Sequence, residues 1–482
     1  MRNWWKTLAI VAGSVLTLAG TWSSAWGQFP QGMGGPPGMG MGGPPGMGMG
    51  GPPGMMGMGG PPPGVFGGPA PGMPAEFPNP AQPSQEPASP FSIKDEGMPN
   101  AFTDLVDPRP RRIDPYTWSL RAEYLWWWIQ KGDTPALVTT NSTVPPQVGA
   151  IGETNTRVVS GGGSAIDYPL IPGFRLTAGL AIGYLPPIEV SGFLVTRKWV
   201  VFAGGGNGQY LARPLQFVNI PATPVSGLET VEFVNVPGTA VGSINITSRM
   251  SYWGLDVNAL FDFCDTSALR MAFIMGYRHN DLYESLEITH SITNNNPLIP
   301  QVRNLPVAGL TNTTVDQFRT RNSFDGGQIG LRAILSSGRF SLFTDLKLGM
   351  GVTTQHLLVD GYTNFASSNA GRGNASTSGG ILAVRSNSGS RNERDFSLLP
   401  EGNMTLSCQV SPRVRVFGGY NVQYWQNVIR PGDHISSIGD SQQIPSDVTF
   451  NPNITATTPR APSFVTRSFY SHGFQVGIEF GF

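Results

Sequence analysis

The chain has 482 residues, enough for two or three ordinary domains, yet only 13% are charged, against a globular norm of roughly 25%. Lys plus Arg equal Asp plus Glu at 31 each, so no net field favours a nucleic acid or an acidic surface as partner. Few charges and 39% hydrophobic residues point to a solvent other than water around part of the molecule.

Residues 1–27 read as a signal peptide. Arg2 and Lys6 form a positive end, "LAIVAGSVLTLAG" an apolar core, and "AWG" a small-x-small cleavage site before Gln28. The apolar core is shorter than the roughly 20 residues that a membrane-spanning helix needs. Residues 28–100 repeat "GMGGPPGM" and continue Pro-rich, so they lack the side chains to close a core. A disordered tether is expected, either a passive spacer or one that touches cell-wall material through methionines such as Met39 and Met47.

From Thr117 onward the pattern has period two. "TWSLRAEYLWWW" places Trp118, Leu120, Ala122, Tyr124, Trp126 and Trp128 on one face and Arg121 and Glu123 on the other. "GFRLTAGLAIGY" (173–184) repeats this, and 188–197, 250–263, 268–292, 323–336, 339–362, 396–409, 412–430 and 471–482 complete ten strands. Odd-to-even joins are long, while even-to-odd joins are tight, as in "LPP", "CDTS", "SG" and "VS". That asymmetry predicts an all-β fold over 117–482: a transmembrane antiparallel β-barrel of about ten strands (8–12), with long extracellular loops and both termini on the periplasmic side. A soluble secreted β-sandwich binding protein also alternates, but aromatics near strand ends, among them Trp126, Tyr184, Tyr277, Tyr424 and Phe482, favour a membrane girdle. The two cysteines, Cys264 and Cys408, are too few for a stapled scaffold and are read first as thiols, with pairing left open.

The stretches "AEYLWWW", "RLTAGLAIGY", "GYRHNDLYESLEI", "GGQIGLRA", "YNVQYWQNVIRPGDHI" and the terminal "GFQVGIEFGF" resemble, in order, the bacterial beta-barrel porin family numbered seven. The resemblance spans roughly Trp118 to Phe482 and implies an outer-membrane barrel that meets membrane lipid and the barrel-assembly machinery. It implies Phe482 as the assembly signal read by that machinery, and it brings no substrate, cofactor or catalytic residue.

Alternation places mixed charges in the lumen: Arg121, Glu123, Arg175, Asp256, Asp262, Arg270, Arg278, Arg332, Asp345, Lys347, Glu401, Arg415 and Glu479. Such charges either pair and plug a narrow interior or line a wet pore. No cofactor or metal is expected, because His279, His290, His356, His434 and His472 lack ligand spacing and read as solvated loop or rim residues. "GGGNG" and "SGGGS" lack the setting of a phosphate loop, and "GDS" (439–441) has no partnered base. The expectation is therefore no enzyme but a porin-type barrel, passing small polar solutes or displaying its loops. An outer-membrane surface hydrolase using Asp433 and His434 with Asp281 or Glu284 is the alternative.

Overall fold

The computed structural model describes residues 116–141, 149–163, 166–206, 208–218, 228–295, 309–367, 374–453 and 464–482. The expected signal peptide (1–27) and Gly/Pro/Met arm (28–100) lie outside the described residues. Sixteen strands follow in chain order: β1 (Tyr116–Ile129), β2 (Val138–Asn141), β3 (Arg157–Ser160), β4 (Ile171–Ile182), β5 (Ile188–Gly205), β6 (Tyr210–Val218), β7 (Leu228–Asn235), β8 (Ala240–Asp265), β9 (Leu269–Asn294), β10 (Leu310–Ser337), β11 (Phe340–Ser367), β12 (Ala375–Ser378), β13 (Gly389–Ser411), β14 (Val414–Val428), β15 (Ile438–Asp440) and β16 (Arg467–Gly481).

Ten of these close into one antiparallel ring, β1-β4-β5-β8-β9-β10-β11-β13-β14-β16 and back to β1. Closure leaves no sheet edge, the condition for a β-sheet to stand in hydrocarbon. β16 pairs with β1 along its length, from Ser471 opposite Ile129 to Gly481 opposite Ser119. Backbone bonds between Trp118 and Phe482, 3.3 and 2.9 Å, seal the seam, and their rings stack at 3.9 Å. The outer wall carries exposed apolar side chains such as Phe174, Leu180, Phe273, Leu346, Met404 and Phe474.

β5, β8, β10 and β13 run well past the bounds the alternation suggested, whereas β9 stays close to the expected 268–292. β8, β9, β10 and β11 run for 26, 26, 28 and 28 residues and stand well beyond the apolar belt, and β10 starts at Leu310 where the pattern had suggested 323. The added stretches are Ser- and Thr-rich outside, for example Ser291 against Thr313 and Thr293 against Thr311, so they lack the apolar outer face that marks a membrane strand. The long joins are not bare loops either. β2, β3, β6, β7 and β15 form a second small sheet, with β15 parallel to β6. Leu137, Val138, Leu211, Leu215 and Val234 of this sheet and its flanks pack with Leu286, Ile288, Phe318 and Val359 of the ring.

Candidate functional site

The lumen is filled in three layers. Nearest the tight turns, the inward positions of the ring strands carry charges, and each finds an opposite partner. Arg121 meets Glu123 at 2.8 Å, and Arg175 lies 3.6 Å from Glu123 and 3.7 Å from Glu401. Arg278, 1% exposed, binds Asp256 at 2.8 Å and also Glu401, while Lys347 approaches Asp256 at 3.4 Å. Arg332 forks between Glu189 (2.6 Å) and Asp345 (2.7 Å). Arg415 pairs with Glu479 at 3.3 Å, and Arg270 with Asp262 at the rim. These groups surround a cavity of only about 90 Å³, room for a few waters. Glu189 escaped the sequence reading, although the alternation of "IEVSGF" sets it with Ser191 opposite Ile188 and Val190.

Above the charges lies an aromatic plate. Tyr252 sits at its centre, 6.2 Å from Trp127, 5.0 Å from Phe193, 6.3 Å from Trp425 and 5.5 Å from Phe469, ring centre to ring centre. Its hydroxyl donates to Gln423 Oε1 and accepts from Asn280 Nδ2, both at 2.7 Å, and the Trp425 indole donates to Thr353 Oγ1. Neighbouring glycines make room for the rings. A Cβ on Gly473 would stand 2.0 Å from the Trp126 carbonyl oxygen, and one on Gly477 would strike the Phe417 ring at 2.4 Å. Gly473 and Gly477 of "GFQVGIEFGF" are thus required by the close approach of β1 and, at Gly477, of the Phe417 ring.

The third layer is the loop side. The segment after β14, part of "YNVQYWQNVIRPGDHI", turns inward at Asn427, which adopts a left-handed φ of 58°. Asn322 clamps Ile429, donating to its carbonyl (2.9 Å) and accepting its N–H (2.8 Å), and Gln355 holds the Asn427 carbonyl. Arg430 binds Glu284 through two bonds, 2.9 and 2.6 Å, and donates to the carbonyls of Gln130 and Lys131. Gly432 is pressed against Asp133, where a Cβ would lie 1.8 Å from the carbonyl oxygen. A second inserted segment, Ile381 to Val384, is held by Asp316, whose Oδ1 accepts the N–H groups of Ile381, Leu382 and Ala383 at 2.8 to 2.9 Å. Arg213 of β6 bonds the other oxygen of Asp316 at 2.7 Å and donates to His290 at 3.3 Å. The end of one stretch that carried the family resemblance, "IRPGDHI", is thus part of the loop-side filling of the lumen.

Of the rim residues considered for hydrolysis, Glu284 and Asp433 come close enough to act on each other's charge, but each carboxylate is held by an arginine. Asp281 pairs with Arg321, Glu284 is engaged by Arg430, and Asp433 pairs with Arg467. His290 and His434 are buried rather than solvated, 0% and 1% exposed, because the inserted loops cover them. His279, His356 and His472 bond Asp325, Ser390 and Tyr420 respectively. Ser441 is buried and accepts from the Thr449 hydroxyl. Cys264 and Cys408 are thiols. Among the described residues no group of three or more metal-ligating side chains converges.

Comparison with curated protein sequences gives no match. Among solved structures the chain is similar to the outer membrane protease OmpT of Escherichia coli, at 8% identity over 77% of this chain and 97% of that one, with a TM-score of 0.30. A Pseudomonas aeruginosa FadL homologue (9% identity, 77% and 90% covered, TM-score 0.19) and the P. putida toluene transporter TodX (7%, 76% and 90%, 0.16) are also similar. Likenesses this distant carry no functional information. The family model described as Putative beta barrel porin-7 matches residues 118–482, the whole of the ring and its inserted loops, and the chain therefore belongs to that family of outer-membrane β-barrels.

Proposed function

We propose that this protein is a closed outer-membrane barrel with a structural role, holding a folded loop-side cap at the membrane, and that it is neither a standing diffusion pore nor an enzyme. The observation that carries this reading is the aromatic plate: Trp127, Phe193, Tyr252, Trp425 and Phe469 come from five different ring strands and meet across the lumen. A solute would have to displace these rings, then the segment held by Arg430 and Asn322, each clamp being a buried network whose loss is costly. Catalysis finds little support, since the acids and bases near the rim are engaged in pairs.

Planar-bilayer recording tests this. The purified barrel is expected to give no steady conductance, while Tyr252→Ala and Trp425→Ala combined with Arg430→Ala, which also releases the inserted segment, give stepwise openings. Steady current through the unaltered protein would overturn the closed reading and support passive diffusion of small polar solutes.

A further inference from the structure

The outer wall changes character just beyond the apolar belt, where β5 carries an exposed Arg197 and the strands that follow it in the ring carry further basic residues. On β8, Arg249 lies four residues beyond Trp253; on β13, Arg394 lies two beyond Phe396; between them Arg321 of β10 and His356 of β11 are directly paired across strands. Two to four residues correspond to about 7–13 Å along a tilted strand, which lands in the headgroup layer above a hydrocarbon core of about 30 Å. The stripe draws its residues from β8, β10, β11 and β13, four of five adjacent strands in ring order, and its two ends stand on the order of 20 Å apart.

The carboxylates on this face are already engaged. Asp281 is held by Arg321 and Asp325 by Tyr277 and His279, while Glu287 accepts from Gln317. Asp360 stands four residues further from the belt than His356. Arg249 and Arg394 are exposed and form no ion pair among the described residues. Below the Arg394 end of the stripe, Met350, Val352 and Phe396 are exposed apolar side chains on β11 and β13. β1, β14 and β16 carry Trp128, Tyr424, Tyr470 and His472, an aromatic cluster.

We propose that the stripe from Arg249 to Arg394 docks the phosphate groups of anionic membrane lipid, with the acyl chains lying on Met350, Val352 and Phe396. A guanidinium binds phosphate through a fork of donors, and an anionic surface attracts each basic residue near it. The apolar wall immediately beneath selects a lipid over a free phosphate. The inference rests on the outer-membrane assignment and is independent of whether the lumen conducts.

The test uses the full-length protein refolded in detergent with equal amounts of phosphatidylglycerol and phosphatidylcholine, and native mass spectrometry counts the retained lipids. Faster migration on unheated gels confirms that each variant is folded. The unaltered barrel is expected to retain phosphatidylglycerol preferentially, and Arg249→Ala with Arg394→Ala to reduce that preference about tenfold. Arg249→Lys with Arg394→Lys keeps charge without the fork and should hold an intermediate preference. Arg467→Ala, a basic residue of the loop side paired with Asp133 and Asp433, should change nothing. An unchanged preference in the double Ala variant, an equal loss in Arg467→Ala, or displacement of the lipid by inorganic phosphate alone would each overturn the proposal.

Discussion

The membrane half of the ring and its loop-side half are built on the same strands with opposite polarity. Along β9, Phe273, Met275 and Tyr277 face outward near the turns while Arg278 and Asn280 face inward. A few residues later Ser285 and Glu287 face outward, and Leu282, Leu286 and Ile288 are buried inside. The ladder to β8 runs through this exchange without a break between Asn280 and Leu282. What changes is the solvent. Where hydrocarbon lies outside, the apolar face turns to it and the interior takes charges that must pair. Where water lies outside, the interior becomes an ordinary hydrophobic core, completed by the inserted loops. The two halves are therefore held by different forces and should fail in different ways.

The largest expected effect lies in the membrane half. Arg278→Met leaves Asp256 and Glu401 short of their main partner and should cost about 3–5 kcal/mol, measured as loss of the heat-sensitive gel form in urea. Substituting Arg278 together with both carboxylates by apolar residues should recover much of that loss; failure to recover would show that the ion pairs do more than satisfy one another.

An outward substitution should separate the halves most directly. Val257→Arg faces hydrocarbon and should cost about 2–4 kcal/mol, whereas Thr289→Arg, outward on the loop-side half, should stay within about 0.5 kcal/mol. Equal costs would mean that the apolar belt extends further than the polarity exchange indicates. Asn258, inward beside Val257, is unsuitable as the control position, because it is 3% exposed and bonds Gln328.

The loop-side half should respond to pH. Glu232 of β7 is buried, and burial pushes its carboxyl up to about 8, against the opposing effect of a Ser446 hydrogen bond. A carboxyl whose folded pKa is raised is favoured neutral in the folded state. Its contribution is therefore complete below the unfolded value, near 4.5, and is lost as pH rises through about 8. Between pH 5 and 7 the Glu232 contribution should fall by about 2–3 kcal/mol, opposed by buried His290, whose imidazole is held neutral by burial and by Arg213, so the effect is read by hydrogen exchange as the difference between the unaltered protein and Glu232→Gln. A difference that does not change with pH would assign the dependence to another group.

The smallest expected effect is at the seam. Phe482→Leu keeps most of the apolar area but removes the stacking on Trp118, worth about 0.5–1.5 kcal/mol. A fall in outer-membrane yield much larger than this loss of stability would support a role for the ring in recognition by assembly machinery, and a matching fall would assign Phe482 to burial alone.

Ring closure, ten strands and the tight turns were legible because hydrocarbon outside forces a strict period of two. The upper ends of β8 and β10 were not, since Ser and Thr outside a water-facing wall leave no apolar signal on that face. The small second sheet was equally hidden, its short strands being joined by loops and completed only against the ring.

The amino-acid sequence by itself determined that a closed sheet stands in a membrane, because local alternation, turn length and aromatic placement each depend only on near neighbours in the chain. Only the tertiary structure decided that the lumen is filled. Which charges pair, that Tyr252 meets Trp127 and Trp425, and that Arg430 reaches Glu284 all join residues of strands and loops far apart in the chain. Such contacts depend on ring diameter and register, quantities that arise only when the ten strands close.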